Sequence, residues 1–213
     1  MRQITPTQLA LFSRSPVVGA WWEELNKIDP GRAPKPKADS LDELLFESGH
    51  KHEAELIKDL EANGKNVKKL SGKMSVDAFE ETIEAMSEGY DFIHQASLQN
   101  EELRGSADLL ERIDKPSKLG PWSYIPIECK LSSHSKPIYL VQACAYCELL
   151  DPILGSRPNN FKLYLGGKKF EKGIDGYRVD DFWMWYRRLR ERYRKFLEDF
   201  DPNNQPEHSP GDH

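Results

Sequence analysis

The chain has 213 residues, enough for one domain of ordinary size, and 31% of them are charged. Its formal net charge is −5, so a polyanionic partner would need a local basic patch or a bound cation rather than the surface as a whole. No apolar run is long enough to cross a membrane, the first residues show no signal-peptide pattern, and three clustered cysteines are too few for a disulfide framework. We therefore expect a cytoplasmic protein with no membrane contact.

The predicted elements alternate between helices and strands. Capping residues, prolines and glycines mark the helix ends, and short apolar runs between turn signals mark the strands. We predict helices over 7–13, 17–27, 40–62, 75–88, 137–150 and 180–200. We predict strands over 65–70, 90–98, 105–113, 122–130 and 161–165, and a turn-rich connection over 166–176. This order indicates an α/β or α+β fold in a single domain over 1–204, followed by a disordered tail over 205–213.

The strand over 122–130 ends in Glu128-Cys129-Lys130. Side chains alternate along a strand, so Glu128 and Lys130 point to one face while Cys129 points to the other. Asp108 lies in the strand-like run just before it, 20 residues upstream of Glu128. Carboxylates on neighbouring strands can hold a hard divalent cation, and a lysine beside them can orient or deprotonate a water or stabilise developing charge. The pattern suits metal-assisted cleavage of a phosphodiester. The alternative is an exposed ion pair on an edge strand.

His52 lies on the apolar stripe of the helix over 40–62, between Leu45 and Leu56. An imidazole in that position needs a partner inside the protein, and a metal ion is one such partner. The alternative is a core histidine satisfied by other groups. In the helix over 137–150, Gln142 and Tyr146 are four residues apart and share a face, from which they can bind phosphates or position Lys130.

These residues, taken in order, resemble a known family. Gly49-His-Lys-His52-Glu53, Gly105-Ser-Ala-Asp108, Glu128-Cys-Lys130 and Gln142-Ala-Cys-Ala-Tyr146 are similar to the ordered motifs of RecB-like nucleases in the PD-(D/E)xK superfamily, which includes the CRISPR-associated exonucleases. The resemblance covers roughly residues 45–150. It implies a restriction-endonuclease-like core over about 41–166, in which a mixed central sheet is flanked by helices. Helices over 5–27 precede this core, and a long C-terminal helix over 180–200 follows it.

The resemblance also implies roles for individual residues. His52, Asp108 and Glu128 would bind Mg²⁺ or Mn²⁺, with the backbone carbonyl of Cys129 as a further ligand. Lys130 would be catalytic, and Gln142 and Tyr146 would form the family's Gln-x-x-x-Tyr motif.

The cysteines depart from part of this family. Several relatives hold an iron–sulfur cluster with one cysteine before the core and three after it, whereas this chain has only Cys129, Cys144 and Cys147. Four thiolates are not present, so we expect no iron–sulfur cluster. Cys144-x-x-Cys147 has no second pair, which favours buried packing over zinc binding or redox chemistry.

Several polar residues have two interpretations each. Arg187, Arg190 and Arg194 on the C-terminal helix can contact a nucleic-acid backbone or form a solvated face. Gln95 can line a DNA channel or have a structural role. The aromatic stripe of the C-terminal helix can pack in the core or form an interface, through which the chain would form a homo-oligomer or dock on a partner.

The sequence therefore predicts a divalent-metal-dependent DNA nuclease, an exonuclease or one acting on single strands and ends. The alternative is a non-catalytic nucleic-acid-binding or assembly subunit of a repair or helicase complex. In either case DNA is the expected partner, with a helicase or another repair or defence protein as a second one.

Overall fold

A computed structural model describes residues 3–32, 40–166 and 174–207, except for the side chains of residue 18, residues 40–47 and residue 50. The described chain is a mixed α/β structure with a six-stranded sheet, helices on the sheet and a long C-terminal helix. None of the described helices is long and apolar enough to cross a bilayer.

The helices are bounded as follows: α1 Pro6–Arg14, a π-helix Val17–Trp21, α2 Trp22–Ile28, α3 Ser40–Ala62, α4 Val76–Glu88, α5 Pro137–Leu154 and α6 Asp180–Glu198. The strands are β1 Val67–Lys69, β2 Phe92–Gln99, β3 Arg104–Ile113, β4 Ser123–Lys130, β5 Asn160–Leu165 and β6 Ile174–Arg178.

Local signals explain where the helices begin and end. Thr5 and Gln8 form a reciprocal capping box at the start of α1, and the Ser75 side chain caps α4. Gly89 and Gly155 follow α4 and α5 in the left-handed conformation that ends many helices.

The strands lie in chain order, from β1 to β6, across the sheet. β1 pairs with β2 and β4 pairs with β5 in parallel, whereas the other three neighbours are antiparallel. Parallel neighbours need a crossover connection, and α4 and α5 provide the two that this order requires. The mixed sheet predicted from the sequence is thus confirmed.

Apolar side chains cover both faces of the sheet. On one face Leu56, Ile57 and Leu60 of α3 pack against Leu109 and Ile127. A larger core joins α4, α5 and α1 to the other face. The predicted apolar stripe on α3 is confirmed at Leu56, which is buried. The side chain of Leu45, its other named leucine, lies outside the described residues.

The C-terminal helix α6 packs on α5 and α1 through its own aromatic face. Tyr186, Leu189 and Tyr193 are buried, and the Tyr193 ring lies 4.9 Å from that of Phe12 in α1. The aromatic stripe therefore packs in the core of this chain, which was the first of the two interpretations.

Three predictions along the chain were wrong. The helix α5 ends at Leu154, four residues beyond the predicted end at 150. The turn-rich connection over 166–176 contains the start of β6, an antiparallel edge strand on β5, while residues 167–173 lie outside the described residues. The single helix over 17–27 begins with a π-helical turn instead. There, a β-carbon on Gly19 would come within 2.4 Å of the Leu11 main chain, so the close approach requires glycine. Residues 208–213 of the predicted tail also lie outside the described residues.

Candidate functional site

Asp108, Glu128 and Lys130 meet at one end of β3 and β4. Lys130 Nζ lies 2.7 Å from Glu128 Oε2 and 3.6 Å from Asp108 Oδ2. Glu128 is only 1% exposed, and the side chains of Asp108 and Lys130 are each 19% exposed. The two carboxylates therefore share one ammonium in a largely desolvated position, as the spacing in the sequence predicted.

The backbone at this end of the sheet is what places Asp108. The β3–β4 ladder ends at the pair Leu109–Ile127. Beyond it, the N–H of Cys129 donates to Asp108 Oδ2 at 2.8 Å, so a side chain takes the place of a ladder carbonyl. The strands separate where the carboxylates lie. The Cys129 side chain packs on the α3 side of the sheet, as its alternation with Glu128 and Lys130 predicts.

Gln95 on β2 occupies the register position opposite Asp108. The flanking pairs are His94–Leu109 and Ala96–Ala107. Gln95 has a φ of +56°, in the left-handed region. Residues three apart on a regular strand face opposite ways, yet each strand here places two such residues in the same core cluster: Ile93 and Ala96 on β2, and Ala107 and Leu110 on β3. Both strands therefore twist locally at the candidate site.

A chain of hydrogen bonds links this twist to the two flanking helices. Gln95 Nε2 donates to Glu53 Oε2 on α3 at 2.9 Å, and Ser106 Oγ donates to Gln95 Oε1 at 3.1 Å. The Tyr146 hydroxyl on α5 donates to the Ser106 carbonyl at 2.6 Å. Glu53 also lies 3.3 Å from His94 Nε2. Glu53 was not among the predicted site residues; its place directly after His52 was the only signal in the sequence.

His52 itself faces β5. Its ring stacks on that of Tyr164, with centroids 4.5 Å apart and planes 1° from parallel. Burial lowers the pKa of His52, although Glu55 and Glu53 raise it in part, so the imidazole is neutral near pH 7. Its Nε2 is buried and has no hydrogen-bond partner in the part of the chain that the structure describes. Successive residues on a helix point about 100° apart, and here His52 contacts Tyr164 while Glu53 accepts a hydrogen bond from Gln95.

The pKa values of Glu128, Asp108 and Lys130 are all shifted by burial and by the charges of their neighbours. Burial and the nearby Asp108 raise the pKa of Glu128, Lys130 offsets part of both effects, and the resulting pKa is about 7. The pKa of Asp108 is also raised. Burial raises it most, Lys130 lowers it in part, and Glu53 adds to the rise. Burial would lower the pKa of Lys130, but Glu128 and Asp108 raise it well above the usual range. Lys130 is therefore an ammonium near pH 7 and supplies positive charge beside the two carboxylates.

The donor set fits a hard cation in its chemistry. Asp108 and Glu128 bring two carboxylates to the Lys130 ammonium, and Glu53 lies near enough to raise the pKa of both acids. Glu128 Oε1 is buried and has no hydrogen-bond partner among the described residues. Carboxylate oxygens are the ligands that Mg²⁺ and Mn²⁺ prefer. Within the described residues, however, no three histidine, cysteine or acidic side chains are already grouped to hold a metal ion. A ligand role for His52 or for the Cys129 carbonyl stays a prediction.

The two residues of the Gln-x-x-x-Tyr motif have separate contacts. Tyr146 is 5% exposed and lies close enough to Glu128 and Asp108 for both to raise the pKa of its hydroxyl, after burial. Gln142 Nε2 instead lies 3.3 Å from Thr7 Oγ1 on α1. Tyr139, two turns earlier than Tyr146, places its ring 5.6 Å from the Lys130 ammonium, a cation–π contact that the sequence did not indicate.

Two of the three predicted arginines on α6 face inward. Arg190 pairs with Glu148, and Arg194 Nη1 lies 3.3 Å from Glu102 Oε1. These pairs anchor α6 to α5 and to the β2–β3 connection, so neither arginine is available to a phosphate without breaking them. Arg187 is exposed.

The outer face of α6 carries a different set of cations. We call Trp185, Arg188, Arg192 and Lys195 the α6 outer stripe; their spacing of three, four and three residues puts them on one face. Trp185 is 41% exposed, and none of the three cations forms an ion pair with a described residue.

The buried thiols agree with the packing interpretation. Cys144 and Cys147 are fully buried, and burial raises the pKa of both. Such thiols are protonated and poorly reactive near pH 7.

No protein-family model matches this chain, and no curated protein matches its sequence.

Proposed function

We propose that the chain is a divalent-metal-dependent DNA nuclease of the RecB-like branch of the PD-(D/E)xK superfamily, with a restriction-endonuclease-like core. The observation that carries the proposal is the convergence of Asp108, Glu128 and Lys130 where the β3–β4 ladder opens. One oxygen of Glu128 there has no hydrogen-bond partner among the described residues. An ordinary surface ion pair would not bury a carboxylate to 1% exposure beside a second carboxylate.

The reaction is hydrolysis of a phosphodiester. The oxygen of a water bonds to phosphorus while one phosphorus–oxygen ester bond breaks, which leaves a phosphomonoester and a hydroxyl. Bound Mg²⁺ or Mn²⁺, held by Asp108 and Glu128, would activate the water and neutralise charge on the phosphate. Lys130 provides a fixed positive charge for the negative charge that develops on the phosphate oxygens. The Cys129 N–H and the Tyr146 network hold Asp108 and its strand in place.

Single strands or ends are the substrates that we propose, with a helicase or another repair or defence protein as a further partner. The exposed α6 outer stripe supports binding of a nucleic-acid backbone and bases, because exposed cations and an exposed indole lie on one face. The same stripe favours the second candidate, a nucleic-acid-binding subunit without catalysis. Since the inner face of α6 is buried within this chain, a homo-oligomer or a protein partner would have to use its outer face.

Cleavage assays separate the two candidates. End-labelled single- and double-stranded DNA is incubated with the purified chain in Mg²⁺, Mn²⁺ or EDTA. We expect metal-dependent degradation by the wild type and its loss in Asp108→Asn and Lys130→Met. Lys69→Met is the matched control, since Lys69 also pairs with a carboxylate, that of Glu61, at 2.7 Å, but on the surface. Undiminished cleavage by both site variants would overturn the site, and DNA binding without cleavage by the wild type would favour the binding subunit.

A further inference from the structure

Gln95 is the one non-glycine residue with a positive φ in the described part of the chain, and it lies in the middle of β2. Glutamine rarely adopts this conformation, because its β-carbon crowds the main chain there. Such strain persists only where the surrounding structure enforces it, and it is concentrated at functional sites.

Both ends of the Gln95 carboxamide are engaged. Its Nε2 donates to Glu53, and its Oε1 accepts from Ser106. The segment around Gly72 closes over the same group, since a β-carbon on Gly72 would lie 2.8 Å from Gln95 Oε1. The side chain therefore has one orientation, and a DNA-lining role for it would require these hydrogen bonds to break.

The position of Gln95 connects Glu53 to the carboxylate pair. Gln95 is opposite Asp108 in the register, next to the point where the β3–β4 ladder opens, and its side chain donates to Glu53. Glu53 is near enough to Asp108 and Glu128 to disfavour their ionised forms.

We propose that Gln95 is a positioning residue that holds the Glu53 carboxylate toward Asp108 and Glu128 as the third acidic group of a divalent-cation site. The proposal rests on the proposed metal dependence. It explains why the strained residue carries an amide: only a side chain with a donor and an acceptor can join Glu53 to Ser106. A residue needed only for the twist of the strand would be better as glycine, which adopts a positive φ without strain.

Gln95→Gly separates the two roles. We expect the metal-free variant to unfold at the same temperature as the wild type or higher, because the backbone strain is relieved. We expect its Mn²⁺ affinity to fall by about tenfold or more, the usual effect of removing a group that orients a ligand. Mn²⁺ binding is measured on the full chain without DNA, by titration calorimetry or by the electron paramagnetic resonance signal of free Mn²⁺. Gln99→Gly, on the same strand, controls for loss of a glutamine side chain.

A double-mutant cycle tests whether Gln95 acts through Glu53. Glu53→Gln should lower Mn²⁺ affinity, and Glu53→Gln with Gln95→Gly should lower it no further, because the positioned group is already gone. Wild-type affinity in Gln95→Gly, independent effects of the two changes, or no Mn²⁺ binding by the wild type would each overturn the proposal. Mn²⁺ binding with the expected coupling but without DNA cleavage would support it while removing the nuclease function.

Discussion

The ammonium of Lys130 and the carboxylate of Glu128 lie 2.7 Å apart, two residues apart on the same face of β4. The pair is enclosed by Tyr146 and Tyr139 of α5, and Asp108 approaches the same ammonium from β3. Because one cation serves two buried acids, removing any one of the three groups changes the charge balance of the other two.

Lys130→Met should destabilise the metal-free protein. Breaking a buried pair by removing one partner costs about 3–5 kcal/mol, and the residual exposure of Lys130 places this case toward the lower end. Adding Glu128→Gln to Lys130→Met should recover much of the loss. The double variant no longer has two buried carboxylates beside each other without a cation. Urea unfolding in EDTA measures both effects. A loss below about 1 kcal/mol in the single variant would show that the pair behaves as an exposed one.

The stability of the metal-free protein should fall as the pH rises through the titration of Glu128. Its pKa is raised from an ordinary 4.5 to about 7 in the folded state, so the folded protein binds more protons than the unfolded chain between these values. The stability contributed by protonated Glu128 is complete below the unfolded pKa and is lost as the pH passes the folded one. The difference in unfolding free energy between the wild type and Glu128→Gln, measured in EDTA from about pH 5 to pH 8, should therefore shift in favour of the variant as the pH rises. A difference that does not change with pH would contradict the raised pKa.

The α6 outer stripe should contribute to the salt dependence of single-stranded DNA binding. Each neutralised phosphate adds about 0.7 to the slope of log affinity against log salt, so changing Arg188, Arg192 and Lys195 to Gln should reduce the slope by about 2. Fluorescence anisotropy in EDTA measures binding without cleavage. The matched control changes three exposed lysines elsewhere, Lys58, Lys65 and Lys73, to Gln. Equal slopes in the two triple variants would exclude a specific role for the stripe.

Gly105→Ala should destabilise the fold at the motif that contains Asp108. A β-carbon there would lie 2.8 Å from Pro6 Cδ and 3.1 Å from Tyr146 Cε1, so α1 or Tyr146 must move. Overpacking of this kind costs about 1–3 kcal/mol. Gly176→Ala on β6 is the control, because a β-carbon there meets nothing within 4 Å. Thermal unfolding of both variants checks the prediction, and equal midpoints would contradict it.

Local pattern was enough to predict most elements and the central triad. The helices α4, α5 and α6 begin where the sequence indicated, within a residue, because caps and prolines act on the residues next to them. Glu128 and Lys130 could be placed on one face because side chains alternate along a strand. Asp108 lies where β3 twists, so its approach to them depends on the contact with the Cys129 N–H. β6 was missed because Ile174-Asp-Gly-Tyr-Arg178 has little apolar alternation and exists through its pairing with β5.

The sequence by itself determined the order of the elements, the face shared by Glu128 and Lys130, and the oxygen-rich chemistry of the candidate site. Only the tertiary structure decided that His52 stacks on Tyr164 while Glu53 accepts a hydrogen bond from Gln95, that Arg190 and Arg194 anchor α6, and that Gln95 is strained opposite Asp108. The physical reason is that the direction of a helical side chain depends on how the helix is rotated against the sheet. That rotation is set by contacts between residues far apart in the chain, such as Leu56 of α3 with Leu109 and Ile127.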